Sequence, residues 1–219
     1  MSQILDPIQH LKEGYLKFRE HYFSDKTPLY ERLVEDGQSP KVMVIACCDS
    51  RVDPSIITTA NPGELFIVRN VANLVPPFDP EPHAHQHSTS SALEFAVCSL
   101  NVEHIILFGH SHCGGIKALM QRTKNSKPTA FIDAWMDIAE PAKHLVEALY
   151  FNQEPEEQCR RCEEQAMLIS LVNLMSFPWI AERVTAQKLQ LHAWHFDLES
   201  GSIRSYNGDF EHFSDLKIP

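Results

Sequence analysis

"VIACCDSRVDP", residues 44–54, decides how the rest of the chain is read. A run of aliphatic residues ends in two cysteines, and an acid, a serine and an arginine follow at once. A buried strand that meets solvent ordinarily closes with Gly, Asn or Pro. Here two thiols, a carboxylate and a guanidinium stand at that point, a grouping suited to chemistry rather than to turning the chain.

Working outward, KVMVIAC (41–47) is a short apolar strand of the kind buried on both faces in a parallel sheet. ELFIVRN (64–70) and EHIILFGH (103–110) read as two more strands. STSSALEFAVCSL (88–100) reads as a helix with Leu93, Val97 and Leu100 along one side, and CGGIKALMQ opens another. Upstream, residues 6–23 and 28–37 read as helices, the first amphipathic through Ile8, Leu11, Tyr15, Phe18 and Tyr22, the second opening at Thr27-Pro28. Downstream, residues 129–152 and 156–187 are mostly helical, and KLQLHAWHFDLESGSIRSYN forms a hairpin around Glu199-Ser200-Gly201.

Three β-then-α passages predict an α/β fold: a mostly parallel central sheet flanked by helices, with an N-terminal helical arm and a C-terminal edge hairpin. No composition shift marks a linker, so residues 1–219 read as a single domain, with 1–37 as the arm. In such sheets functional residues gather past the carboxyl ends of strands, near a switch point. Cys47 ends one strand and His110 ends another.

Composition narrows the function. Lys plus Arg number 19 against 29 Asp plus Glu, a formal charge of −10, and no basic stripe is visible. That balance excludes a nucleic-acid backbone as the expected partner. The longest apolar run, 42–48, is far short of a membrane span, so no membrane partner is expected either. The N-terminus lacks the basic-then-apolar order of a signal peptide, which makes the cytoplasm the expected compartment. Six cysteines in that compartment favour metal ligation or catalysis over disulfides.

Past the third strand comes GHSHCGG, in which His110 and Cys113 stand three apart at a strand-to-helix junction. With Cys47 they offer two thiolates and an imidazole, a set that favours zinc and leaves a fourth position open. The motifs Cys-x-Asp-Ser-Arg (47–51) and His-x-x-Cys (110–113), with GQSPK, NPGELFIVRNVANLVPPF and ALEFAV around them, closely resemble the plant-type β-class carbonic anhydrases from about Gln38 to Lys117.

The resemblance implies reversible hydration of carbon dioxide to bicarbonate and a proton, with one Zn2+ per chain on Cys47, His110 and Cys113. It implies zinc-bound hydroxide as nucleophile, oriented and activated by an Asp49–Arg51 dyad. In a closed state of the family Asp49 becomes the fourth ligand. Bicarbonate-regulated members carry tryptophan where Val44 stands here, so the Asp–Arg-paired form is expected at neutral pH. The substrate pocket implied comprises Gln38, Phe66, Val71, Gly114 and Phe95, the last at a position where relatives often have tyrosine. A homodimer is the minimal unit implied, with arms and pocket walls exchanged between subunits; two dimers can join through the edge hairpin.

Other readings stay open at this point. The same site could hydrolyse carbonyl sulfide or carbon disulfide, or hold a closed structural zinc in a scaffold protein. CRRC (159–162) could serve redox chemistry, although it lies in a polar helical run. HAHQH (83–87) offers three imidazoles for relaying a proton, or is only a solvated loop. Cys48 and Cys98 are expected in the core, and His112 is expected to face away from the ligands.

Overall fold

Six short segments among the described residues build the sheet. In β1 (Val42–Cys47) Met43 and Ile45 enter one apolar cluster while Val44 and Ala46 enter another, as a period of two dictates. The structure, a computed structural model, describes residues 6–23, 29–81, 88–208 and 212–217. It divides into two units, Met1–Ser39 and Pro40–Pro219.

The first unit holds α1 (Pro7–Tyr22) and α2 (Leu29–Glu35). Asp6 caps α1 by accepting the Ile8 N–H at 3.2 Å. Phe18, Tyr22, Phe23 and Tyr30 form a cluster of rings. Ile8, Leu11, Tyr15 and Leu16 leave an apolar stripe of α1 exposed. The predicted start of the second helix at Thr27-Pro28 lies outside the described residues.

In the second unit β1 pairs in parallel with β2 (Leu65–Asn70) on one side and β3 (His104–His110) on the other. β4 (Gln190–Phe196) continues parallel to β3, and β5 (Ile203–Asn207) and β6 (His212–Asp215) add antiparallel strands. The order is β2-β1-β3-β4-β5-β6. The chain therefore leaves β1 toward one edge and returns on its other side, which makes the β1–β3 carboxyl ends the switch point.

The edge differs from expectation. The first strand of the predicted hairpin is an interior parallel strand, and the outer edge on that side is β6, beyond the hairpin. Four residues of mixed polarity, half exposed, gave β6 no apolar signature to read.

The helices are α3 (Pro54–Thr58), α4 (Ser88–Glu94), α5 (Gly114–Gln121), α6 (Ile132–Met136), α7 (Glu140–Leu149), α8 (Pro155–Met175) and α9 (Pro178–Thr185). Residues Phe95–Ser99 after α4 form a π-helical turn, in which the Leu100 N–H donates to the Phe95 carbonyl. The wider turn shifts the pattern off its 3.6-residue period. Ala96 and Val97 are buried, but Phe95 and Cys98 are exposed, so Cys98 is not a core residue.

Helix α8 crosses the sheet closely because Gly109 has no side chain: a Cβ there would collide with Met167. One helical turn before Met167 stands Glu163, and this approach carries it to the end of β3.

Candidate metal centre

The loop leaving β1 is shaped by a single guanidinium. Arg69, on β2, donates to the carbonyls of Cys47 (3.0 Å), Asp49 (2.7 Å) and Val52 (2.8 Å) and to the Asp53 carboxylate (3.1 Å). Asp53 in turn caps α3 through the N–H groups of Ser55 and Ile56. The Cys48 N–H donates to the Asn70 carbonyl at 2.8 Å, extending the β1–β2 ladder past the last strand residue. Cys47 ends up buried and Cys48 exposed, contrary to its expected place in the core; the chain has already left the pleat there.

At the end of β3 the chain turns sharply. His112 adopts a left-handed φ of 58°, and Cys113 then serves as N-cap of α5. The close seat of α5 requires Gly115, where a Cβ would stand 2.8 Å from Val71 Cγ1. The result brings together one donor atom each from Cys47, His110 and Cys113, all within 4.8 Å of one another. All three residues are buried.

The donor chemistry fits a soft divalent cation. His110 Nδ1 lies 2.8 Å from the Ser111 carbonyl, so it carries the proton and leaves the Nε2 lone pair free. That Nε2 is buried and finds no hydrogen-bond partner, a costly arrangement unless it binds a metal. The Cys113 thiol first, and then the nearby His110, bring the Cys47 thiol down to about 4 despite its burial. The hydrogen bond with Cys47 and burial push Cys113 well above the usual thiol range, although N–H groups of Ile116 and Gly115 oppose this. Burial pulls the His110 imidazole down, but the neighbouring Cys47 sulfur and its charge outweigh it and leave it raised. Two sulfurs competing for one proton beside an orphaned nitrogen are what a Cys2His zinc site presents.

Next to this trio, Asp49 and Arg51 form a two-pronged pair. Arg51 Nε donates to Oδ1 at 2.9 Å and Nη2 to Oδ2 at 2.7 Å, and the Arg51 N–H adds 3.0 Å to Oδ1. Chiefly through the Arg51 side chain, the Asp49 carboxyl is held well below the usual carboxylate range. Asp49 Oδ2 stands 4.0 Å from His110 Nε2, while Arg51 Nη2 also donates to the His112 carbonyl at 3.2 Å.

These features have close counterparts. A family model for carbonic anhydrase matches residues 42–203. The chain is 41% identical to β-carbonic anhydrase 3 of Arabidopsis thaliana over 212 residues, covering 96% of this chain and 81% of that protein. The solved β-carbonic anhydrase CcaA superposes with a TM-score of 0.89 at 34% identity, covering 96% of this chain and all of that one. A tetrameric β-carbonic anhydrase from Sordaria macrospora gives 0.75 at 26% identity, covering 91% of this chain and 97% of that one.

The chain belongs to the β-carbonic anhydrases. In this carbonic anhydrase Val71 joins the apolar cluster that also contains Cys47 and Cys113, and Gly114 begins α5 directly after the second sulfur. Phe66 instead packs on the periphery of the cluster that contains Met43 and Ile45, and the exposed Phe95 lies against it with ring centroids 5.9 Å apart. Phe66 pairs with Met43, four residues from the Cys47 end of the strand. Gln38 belongs to the N-terminal unit and is exposed.

His112 does face away from the trio: its Nε2 lies 3.1 Å from Glu199. The CRRC thiols sit on α8 and are both raised, Cys162 by burial to about 12. Such thiols are poor nucleophiles, so the redox reading finds no support in their surroundings. The HAHQH imidazoles lie outside the described residues. Sequence reasoning missed Arg69 and Asn70, although an arginine and an asparagine ending an apolar strand were a usable signal. It also missed Glu163 and His195, whose contacts are with residues far away in the chain.

Proposed function

We propose that this carbonic anhydrase hydrates carbon dioxide at a zinc ion held by Cys47 Sγ, His110 Nε2 and Cys113 Sγ. The observation carrying this reading is the orphaned, buried His110 Nε2 facing two sulfurs beside an ionised Asp49. Bound there, zinc supplies the Lewis acidity that makes water a nucleophile near neutral pH.

The remaining work falls to the protein. Arg51 keeps Asp49 ionised and engages both of its oxygens, so the carboxylate can only accept hydrogen bonds. Asp49 Oδ2 accepts the O–H of the attacking oxygen and leaves a lone pair turned toward the carbon of the substrate. Because Arg51 holds the carboxylate, Asp49 would be withheld from a metal bound by Cys47, His110 and Cys113. Val71 offers carbon dioxide an apolar wall, and the Gly114 N–H, at the start of α5, offers a donor to the oxygen on which charge develops.

The pocket is completed by a second copy. Phe66 and Phe95 are too far along β2 and the π-helical turn to face their own chain's trio, yet Phe95 is 45% exposed. They form walls for the partner's site, and the exposed stripe of α1 packs on the partner. The tetrameric Sordaria relatives support a dimer of dimers. Six free thiols suit a reducing compartment, and we place the enzyme in the cytoplasm.

Stopped-flow carbon dioxide hydration by the zinc-loaded protein, repeated with Asp49→Ala and Arg51→Ala, tests this reading. Each variant is expected to retain one zinc per chain and to lose activity by roughly 10–100-fold. Equal activity in all three would leave the pair without a role.

A further inference from the structure

Glu163 takes no part in the reaction above, yet it is 5% exposed and lies against a ligand. Its Oε1 accepts the backbone N–H of Cys113 at 2.9 Å. Its Oε2 lies 3.2 Å from Nε2 of His195, which is 1% exposed. His195 Nδ1 in turn stands 3.4 Å from Arg204 Nη2, which is 2.6 Å from Glu164 Oε1. Burying a carboxylate is costly unless its oxygens are engaged, and here the Cys113 N–H ahead of α5 and His195 on β4 engage one each.

The turn that Glu163 meets needs an external hold. His112 keeps a left-handed backbone without being glycine, and such strain persists only where the surroundings over-determine it. The Ser111 N–H donates to the Phe196 carbonyl, the His112 carbonyl accepts from Arg51, and the Cys113 N–H donates to Glu163. Cys113 has no cap from its own side chain, so the carboxylate that reaches it across 50 positions sets where α5 begins and where the sulfur points.

We infer that the buried Glu163–His195 pair is a positioning device for Cys113, holding the His110–Cys113 turn in the geometry that retains the metal. Glu163 and His195 touch neither substrate nor metal; they act through the backbone of the ligand. This rests on the reading that Cys47, His110 and Cys113 bind zinc.

The test measures zinc release from the holoenzyme to a chromogenic chelator, together with the sulfur-to-metal charge-transfer band of the cobalt-substituted protein. Glu163→Leu fills the same volume without an acceptor and is expected to release zinc on the order of 10-fold faster and to shift the cobalt band. Glu163→Gln keeps an oxygen acceptor and is expected to restore most of the wild-type release rate. His195→Phe leaves Glu163 in place without its second partner and is expected to fall between them. A residue that only supported the fold would lower the melting temperature of the metal-free protein and leave release rate and cobalt band unchanged in the folded holoenzyme. That pattern overturns the inference. Should Glu163→Leu fail to fold, His195→Phe decides: faster release supports the device and an unchanged rate overturns it. A wild-type protein that binds neither zinc nor cobalt overturns the zinc reading and this inference with it.

Discussion

The two ends of one sheet gather similar residues and make different things of them. At the carboxyl ends of β1 and β3, His110 presents an unpartnered Nε2 to two buried sulfurs. At the amino end of β3, His104 Nδ1 and His192 Nε2 lie 3.1 Å apart and satisfy each other. Each end also has an arginine pinning a loop. Arg69 fixes the Cys47–Asp53 loop, and Arg183 donates to the Val97 and Val102 carbonyls and to Asn101 Oδ1. What separates a site from a scaffold here is an unsatisfied ring-nitrogen lone pair where two sulfurs converge, not the residue types.

That distinction breaks most easily at the ligands. Cys47→Ser is expected to abolish stoichiometric zinc, by elemental analysis, and to reduce carbon dioxide hydration by more than about 100-fold, beyond what partners outside the ligand set command. His104→Gln, at the other end of the sheet, is expected to retain one zinc per chain and activity within about 3-fold of the parent, because it changes nothing within the first turn of either ligand. Zinc lost from both variants would mean that the two ends are not independent.

The arginines sharpen the comparison with a smaller effect. Arg69→Ala and Arg183→Ala each remove several hydrogen bonds from a half-buried guanidinium, and each is expected to lower stability by about 2–4 kcal/mol in urea unfolding. Only Arg69 holds the loop bearing Cys47 and Asp49. Arg69→Ala is therefore expected to lose about 10-fold in kcat/KM as well, while Arg183→Ala leaves the folded enzyme's activity intact. Equal activity losses would show that the Arg69 clamp matters only for stability.

These residues also mark what could be read from the chain. Strands β1, β2 and β3 and the trio at their ends were legible because the signals are local: apolar runs of six or seven residues that stop at Cys47 and His110. The Asp49–Arg51 pair was legible because the partners lie two residues apart, just past the same strand end. Glu163 and His195 were not, since their meaning comes from contacts 50 and 32 positions apart that exist only once α8 crosses Gly109. Cys98 was misplaced by a turn with one extra residue, which helical periodicity cannot register. Strand β6 was missed because an edge needs no apolar pattern to pair.

The smallest effect concerns pH and the amino-end histidines. Burial, and then the charge on His104, lowers the His192 pKa from its ordinary 6.5. A histidine whose folded value is depressed binds fewer protons folded than unfolded near that pH. Its neutral form therefore contributes stability that is fully present above about 6.5 and is lost as pH falls toward the lower folded value. The contact with His104 follows the same direction, because at least one ring must keep a lone pair for the other to donate to. His192→Gln still presents an amide toward His104 but cannot titrate. Urea midpoints at about pH 8 and about pH 5.5 are expected to fall further in the parent than in the variant. Parallel losses would show that His192 takes up its proton equally in the folded and unfolded chains, and the imidazole pair would then be packing alone.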